Sequence, residues 1–127
     1  MKEIKLITFD LDDTLWDNVP TIKRAEIDTR RWIEDRVGKV EWGDFNDFLS
    51  LREELIKEDP VIEWDISKLR KEIFRKKLEH VSPKNLRDEI VEEAFNIFIN
   101  KRHEIKLFDG VENALSLLSS KYSLGVL

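Results

Sequence analysis

A chain of 127 residues has room for one domain, or for one domain and a small insertion. Its hydrophobic fraction of 41% suffices for a core, and a net charge of −5 argues against a dedicated nucleic-acid binder while leaving room for a small anionic substrate beside a metal ion. With no cysteine, disulfide, zinc-thiolate and thiol-nucleophile chemistry are excluded. No apolar run is long enough to span a bilayer and no signal-peptide pattern is present, so no membrane partner is expected and the cytoplasm is the default location. The charged fraction of 39%, rich in Lys and Glu, leans toward a heat-adapted, thermophile-like source with surface ion pairs.

The first element is the apolar run Ile4-Lys5-Leu6-Ile7-Thr8-Phe9, which reads as a buried strand. It runs directly into Asp10-Leu11-Asp12-Asp13-Thr14-Leu15-Trp16-Asp17. Crowded carboxylates repel one another unless a cation or a charged reaction partner is present. In open α/β sheets ligands bind beyond the carboxyl ends of the strands, where Asp10 would stand. The chain turns there, so Asp12 can face the same space. One carboxylate can bind a divalent metal and attack phosphorus, forming an aspartyl-phosphate. The other can protonate the leaving oxygen and then activate water. Backbone N–H groups of the turn can cradle phosphoryl oxygens, and the Thr14 hydroxyl can brace it. Mg²⁺ suits such a site, because it accepts one or two carboxylates plus substrate phosphate.

Other uses of an Asp-x-Asp pair fit less well. An EF-hand loop counted from Asp10 would need Gly and Glu where Leu15 and Thr21 stand. A receiver domain would need several further strands in the next hundred residues, and that stretch reads as helices. A glycosyltransferase Asp-x-Asp would follow a nucleotide-binding segment, and none precedes Asp10. A plain solvated acidic turn leaves the strand, both acids, Thr14 and Leu15 unexplained together.

Four helices are expected next. Ile22, Ala25, Trp32, Ile33 and Val37 mark the first, stopped by Gly38. Asp44 is a suitable N-cap for the second, with Phe45, Phe48, Leu49, Leu55 and Ile56 near one face and Asp59-Pro60 at its end. The third runs from about Asp65 through Leu69, Ile73, Phe74 and Leu78. Ser82-Pro83 predicts N-cap Ser and Pro at the first position of the fourth, which carries Leu86, Ile90, Val91, Ala94, Phe95 and Phe98. Short connections make these a small antiparallel bundle. Asp109 and Glu112 then predict a capping box before an apolar helix of Ala114, Leu115, Leu117 and Leu118. Tyr122 to Leu127 reads as a second buried strand, completing a β–α–β unit with a large insertion.

Asp10-Leu11-Asp12-Asp13-Thr14 resembles motif I of the haloacid dehalogenase (HAD) superfamily, Asp-x-Asp-x-Thr after a hydrophobic strand. Many relatives have Gly where Asp13 stands. The resemblance implies an α/β fold with a Rossmann-like core, of which the first two parallel strands are present (residues 1–18 and 106–127), and an inserted four-helix cap of the helical-cap type (residues 19–105). Phe108-Asp109-Gly110-Val111 resembles the family's return to its core, with Asp109 in place of Pro. The resemblance further implies that Asp10 is the nucleophile, Asp12 the general acid/base, and the Asp10 side chain with the Asp12 carbonyl the Mg²⁺ ligands. Leu11, Asp12 and Thr14 would support the phosphate-binding turn. Relatives that act as dehalogenases lack the second acid, since a halide leaves without a proton, so Asp12 implies a phosphatase acting on a small phosphorylated metabolite.

The family's later motifs would follow Leu127. The chain is therefore read as the N-terminal half of a hydrolase, inactive by itself. The alternative is a noncatalytic helical binding or assembly module, self-associating through an exposed sheet edge. His80 and His103 are expected as helix-end cations. Trp32, Trp42 and Trp64 are expected in packing, while Trp16 is either packing or a border of the substrate site. Lys23, Arg24, Arg30 and Arg31, and the run Arg70, Lys71, Arg75, Lys76 and Lys77, read as charged helix faces.

Overall fold

The computed structural model describes residues 3–127. The element order is strand, four helices, helix, strand. β1 is Leu6–Phe9, α1 Asn18–Val37, α2 Phe45–Glu58, α3 Ile66–Lys77, α4 Lys84–Arg102, α5 Val111–Ser119 and β2 Ser123–Val126, with a 3-10 turn at Pro60–Glu63. The chain is α/β, with β1 and β2 parallel and in register from Leu6 opposite Ser123 to Phe9 opposite Val126.

Helix boundaries follow local chemistry. The Asp17 carboxylate accepts from the Val19 N–H at the start of α1, and Gly38, at φ 84°, ends that helix in a backbone conformation that glycine tolerates best. Asp44 and Asp47 form a reciprocal capping box on α2, and Asp65 accepts from Lys68 N–H at the start of α3. Two expected caps are not formed. The residue before α4 is Pro83 rather than Ser82: its ψ of 167° is extended and its carbonyl accepts from Arg87 N–H. Before α5 the cap is Gly110 rather than Asp109, because the chain turns with φ 83° and no side chain caps the helix.

α1 packs mainly on α4, α3 also packs on α4, and α2 packs on α3 and the 3-10 turn. Ile33, Val40, Phe74, Leu78, Ile90, Val91 and Ala94 form the main core, flanked by Trp32, Val37, Trp42 and Val81. Leu55, Ile62 and Leu69 form a second, smaller cluster. Thr21 and Thr29 are buried on α1 where the apolar pattern left gaps. Phe45, Leu49, Leu86 and Trp64 are exposed instead of packed, Trp64 by 85%. Trp64 follows the 3-10 turn at the tip of the α2–α3 connection, where no neighbouring element covers it.

The strands are not the buried elements their composition predicts. Leu6 is 57% exposed and Val126 63%, and α5 buries no residue. A parallel sheet is ordinarily covered on both faces. Among the described residues this one has two strands, with α5 packed on β2. No helix among the described residues is long and apolar enough to cross a membrane.

Candidate active site

The turn after β1 is built by backbone bonds. Thr14 N–H (3.2 Å) and Leu15 N–H (2.9 Å) donate to Leu11 O, and Asp13 N–H donates to Trp16 O at 2.8 Å. Phe108 N–H donates to Leu15 O at 2.9 Å, tying the turn to the segment that enters α5. The amides of Leu11 and Asp12 donate to no protein acceptor among the described residues. They remain available to an anion, whereas the Thr14 amide is spent inside the turn.

The four acids of the segment divide by task. Asp13 has φ 64°, the left-handed region that Asp and Asn enter more readily than other side-chain-bearing residues. Its carboxylate accepts from Asn18 N–H at 2.9 Å, and Asp17 caps the same helix, so both serve the start of α1. Asp10 and Asp12 line one cavity of about 470 Å³, with Leu11, Trp16, Ile99, Arg102, His103, Ile105 and Leu127. This cavity lies between the end of β1 and the end of α4. The Thr14 hydroxyl donates to Asp10 Oδ2 at 3.3 Å, so Thr14 acts through its side chain.

Asp12 is engaged on both oxygens. Trp16 Nε1 donates to Oδ1 at 3.1 Å, and Arg102 Nη2 donates to Oδ2 at 2.6 Å. Trp16 therefore does more than pack. The Arg102 contact joins residues 90 positions apart, and no local sequence rule points to it. His103, expected as a helix-end cation, also stands on the cavity wall at the end of α4. His80 is not among the lining residues.

The basic cluster on α1 is more structural than its spacing suggests. Arg24 donates to Glu104 O. Glu26 bridges Arg30 (2.9 Å) and Arg70 (2.5 Å), Arg30 lies over the Trp42 ring and Arg70 over the Phe98 ring. Burial pushes the Arg70 guanidinium below its ordinary pKa, and Glu26 opposes that shift. Arg75 pairs with Asp88 at 3.0 Å across α3 and α4, holding the Asp88 carboxyl below the usual carboxylate range.

A family model for haloacid dehalogenase-like hydrolases matches residues 4–127. The chain belongs to this family. Its structure is similar to that of a 2-haloacid dehalogenase from Pseudomonas syringae pv. Tomato DC3000, with 34% identity and a TM-score of 0.82 over 98% of this chain and 54% of that one. It also shares the fold of a haloacid dehalogenase-like family hydrolase from Xanthomonas campestris, at 19% identity and a TM-score of 0.52, over 97% of this chain and 49% of that one. No curated protein matches. The chain spans about half the length of these solved structures.

As a HAD-like chain it carries a donor set that fits a hard divalent cation in part. Asp10 brings a carboxylate and Asp12 a carbonyl, both oxygen donors of the kind Mg²⁺ accepts alongside water and substrate phosphate. Among the described residues no cluster of three acidic, His or Cys side chains adds to them. The Asp12 carboxylate, bonded to Trp16 and Arg102, is the less suited of the two side chains.

Proposed function

We propose that this chain carries the nucleophile, the general acid and the cap of a Mg²⁺-dependent phosphatase for a small phosphorylated metabolite. The observation that carries this reading is the shared cavity: Asp10 and Asp12 face one space at the end of β1, below the end of α4. Its volume, about 470 Å³, suits a small molecule. The proposed division places a core at residues 1–18 and 106–127 and the cap at 19–105.

In the proposed reaction an Asp10 carboxylate oxygen attacks phosphorus and the P–O bond to the leaving alcohol breaks. Asp12 gives that oxygen its proton. Asp12 then takes a proton from water, whose oxygen attacks the aspartyl-phosphate at phosphorus. This returns Asp10 as a carboxylate and releases inorganic phosphate. The Leu11 and Asp12 amides, which donate to no protein acceptor among the described residues, would receive equatorial phosphoryl oxygens. Mg²⁺, held by the Asp10 carboxylate and the Asp12 carbonyl, would neutralise charge on the phosphoryl group.

A second reading, dehalogenation of a 2-haloacid, is favoured by the 34% identity to the Pseudomonas syringae structure. The presence of Asp12 separates the two, because halide departure needs no proton. Phosphate release from a panel of sugar, acid and nucleotide phosphates should be measured for the complete enzyme beside halide release from 2-chloropropionate. The phosphatase reading expects phosphate release that Asp10→Asn abolishes and Asp12→Asn lowers by about 100-fold or more. Halide release that survives Asp12→Asn, with no phosphate release, would establish the dehalogenase instead.

The 127 residues taken alone are expected to be inactive. The cavity they line offers Arg102 and His103 but no lysine, and no Ser or Thr hydroxyl lies among its lining residues. Phosphoryl transfer depends on such groups for positioning and charge stabilisation.

A further inference from the structure

We infer that Arg102 is the residue that recognises a carboxylate on the substrate, and that its pairing with Asp12 is the resting position of that side chain. The inference rests on the proposed role of Asp10 and Asp12 but not on the identity of the leaving group. Three observations combine. Arg102 lines the cavity that holds Asp10 and Asp12, at the last position of the last bundle helix. Its neighbours on the wall, Trp16, Ile99 and Ile105, are apolar or aromatic, so it is the fixed positive charge among the lining residues. Its pairing is incomplete: Nη2 donates to Asp12 Oδ2 at 2.6 Å, while Nε is buried with no hydrogen-bond partner.

A guanidinium is a planar fork that binds a carboxylate best through two parallel N–H bonds. Asp12 takes only one of them, because its Oδ1 is held by Trp16 Nε1. A free substrate carboxylate has no such tether and can meet Nε and Nη2 together once the side chain turns toward the cavity. The exchange trades a one-point contact for a two-point contact and releases Asp12 Oδ2 toward the leaving oxygen. The substrate class is then a small carboxylic acid bearing the leaving group on a neighbouring carbon.

The matched probes are phospholactate and isopropyl phosphate, which differ by a carboxylate in place of a methyl group. For the complete enzyme, Arg102→Ala should raise KM for phospholactate about 10- to 100-fold more than KM for isopropyl phosphate, while the lost contact with Asp12 changes kcat for both probes alike. Arg102→Lys should recover part of the loss, since a point charge replaces the fork. Thermal unfolding of both variants checks that the bundle stays folded, and Arg102→Lys keeps the test open if the alanine variant unfolds. An equal KM increase on both probes, or no preference of the wild-type enzyme for phospholactate, overturns the proposal. If the enzyme releases halide and not phosphate, 2-chloropropionate and 2-chloropropane make the same comparison, so the reaction class and the role of Arg102 fail separately.

Discussion

Asp13 shows how a catalytic-looking residue can be a structural one. It sits between the cavity acids and α1 at φ 64°, with its carboxylate on Asn18 N–H. Alanine there would keep the left-handed strain and lose the bond, costing about 1–2 kcal/mol. Glycine would relieve the strain while losing the same bond, so Asp13→Gly is expected to cost less than Asp13→Ala in urea denaturation. The order would reverse if the Asp13 backbone were unstrained. The acids at 10, 12 and 13 were legible as a group, because a strand running into Asp-x-Asp-x-Thr is a local pattern. The partners of Asp12 were not. Trp16 lies four residues away across a turn, and Arg102 lies across the whole bundle. Only folding makes those two neighbours.

The end of α1, both ends of α2 and the start of α3 were legible almost to the residue, because Gly38, Asp44 and Asp65 act on the backbone within a few positions of themselves, whereas the Asp17 cap that starts α1 was not read. The starts of α4 and α5 were less so. Proline and glycine set the backbone angles there, and the hydroxyl of Ser82 and the carboxylate of Asp109 do not reach the first turn. The junction between the 3-10 turn and α3 carries a pH-dependent contact. Lys68 Nζ lies 2.6 Å from Asp59 Oδ2. That hydrogen bond holds the Asp59 carboxyl below the usual carboxylate range and raises the Lys68 ammonium above the usual lysine value. The lowered carboxyl contributes stability above its unfolded pKa while Lys68 is charged, and loses it as pH falls below about 4 through the folded value. The raised ammonium contributes below its unfolded pKa and loses it above about pH 10.5. Melting temperature should therefore drop at both extremes, and Asp59→Asn should flatten both slopes. The pair is solvent-exposed, so the effect should shrink in high salt. Unchanged slopes in Asp59→Asn would remove this pair as their cause.

At the scale of the molecule, the buried apolar residues lie in the helical bundle and its connections and not in the sheet. Phe74, 1% exposed, joins α3 to the core residues of α1 and α4 and meets the Trp42 ring edge-on. Phe74→Ala should cost about 3–5 kcal/mol, read as loss of cooperative helical unfolding in denaturant. The same change at exposed Phe45 should cost little by comparison. Helical periodicity made this core readable, whereas the exposure of Leu6, Val126 and Leu117 was not, since an apolar strand or helix looks alike in sequence whether or not a neighbour covers it. The bundle brings the end of α4 over the end of β1, and that placement makes one site from Asp10, Asp12 and Arg102. The central claim is that Asp10 attacks phosphorus and that water later attacks the same phosphorus. The direct measurement is a single turnover of the complete enzyme in heavy-oxygen water, followed by mass spectrometry of the released phosphate and of the peptide bearing Asp10. The account predicts heavy oxygen in the phosphate and none in Asp10. Heavy oxygen in the Asp10 carboxylate, the mark of water attacking the Asp10 carboxyl carbon of an ester formed when Asp10 displaces halide, would contradict it.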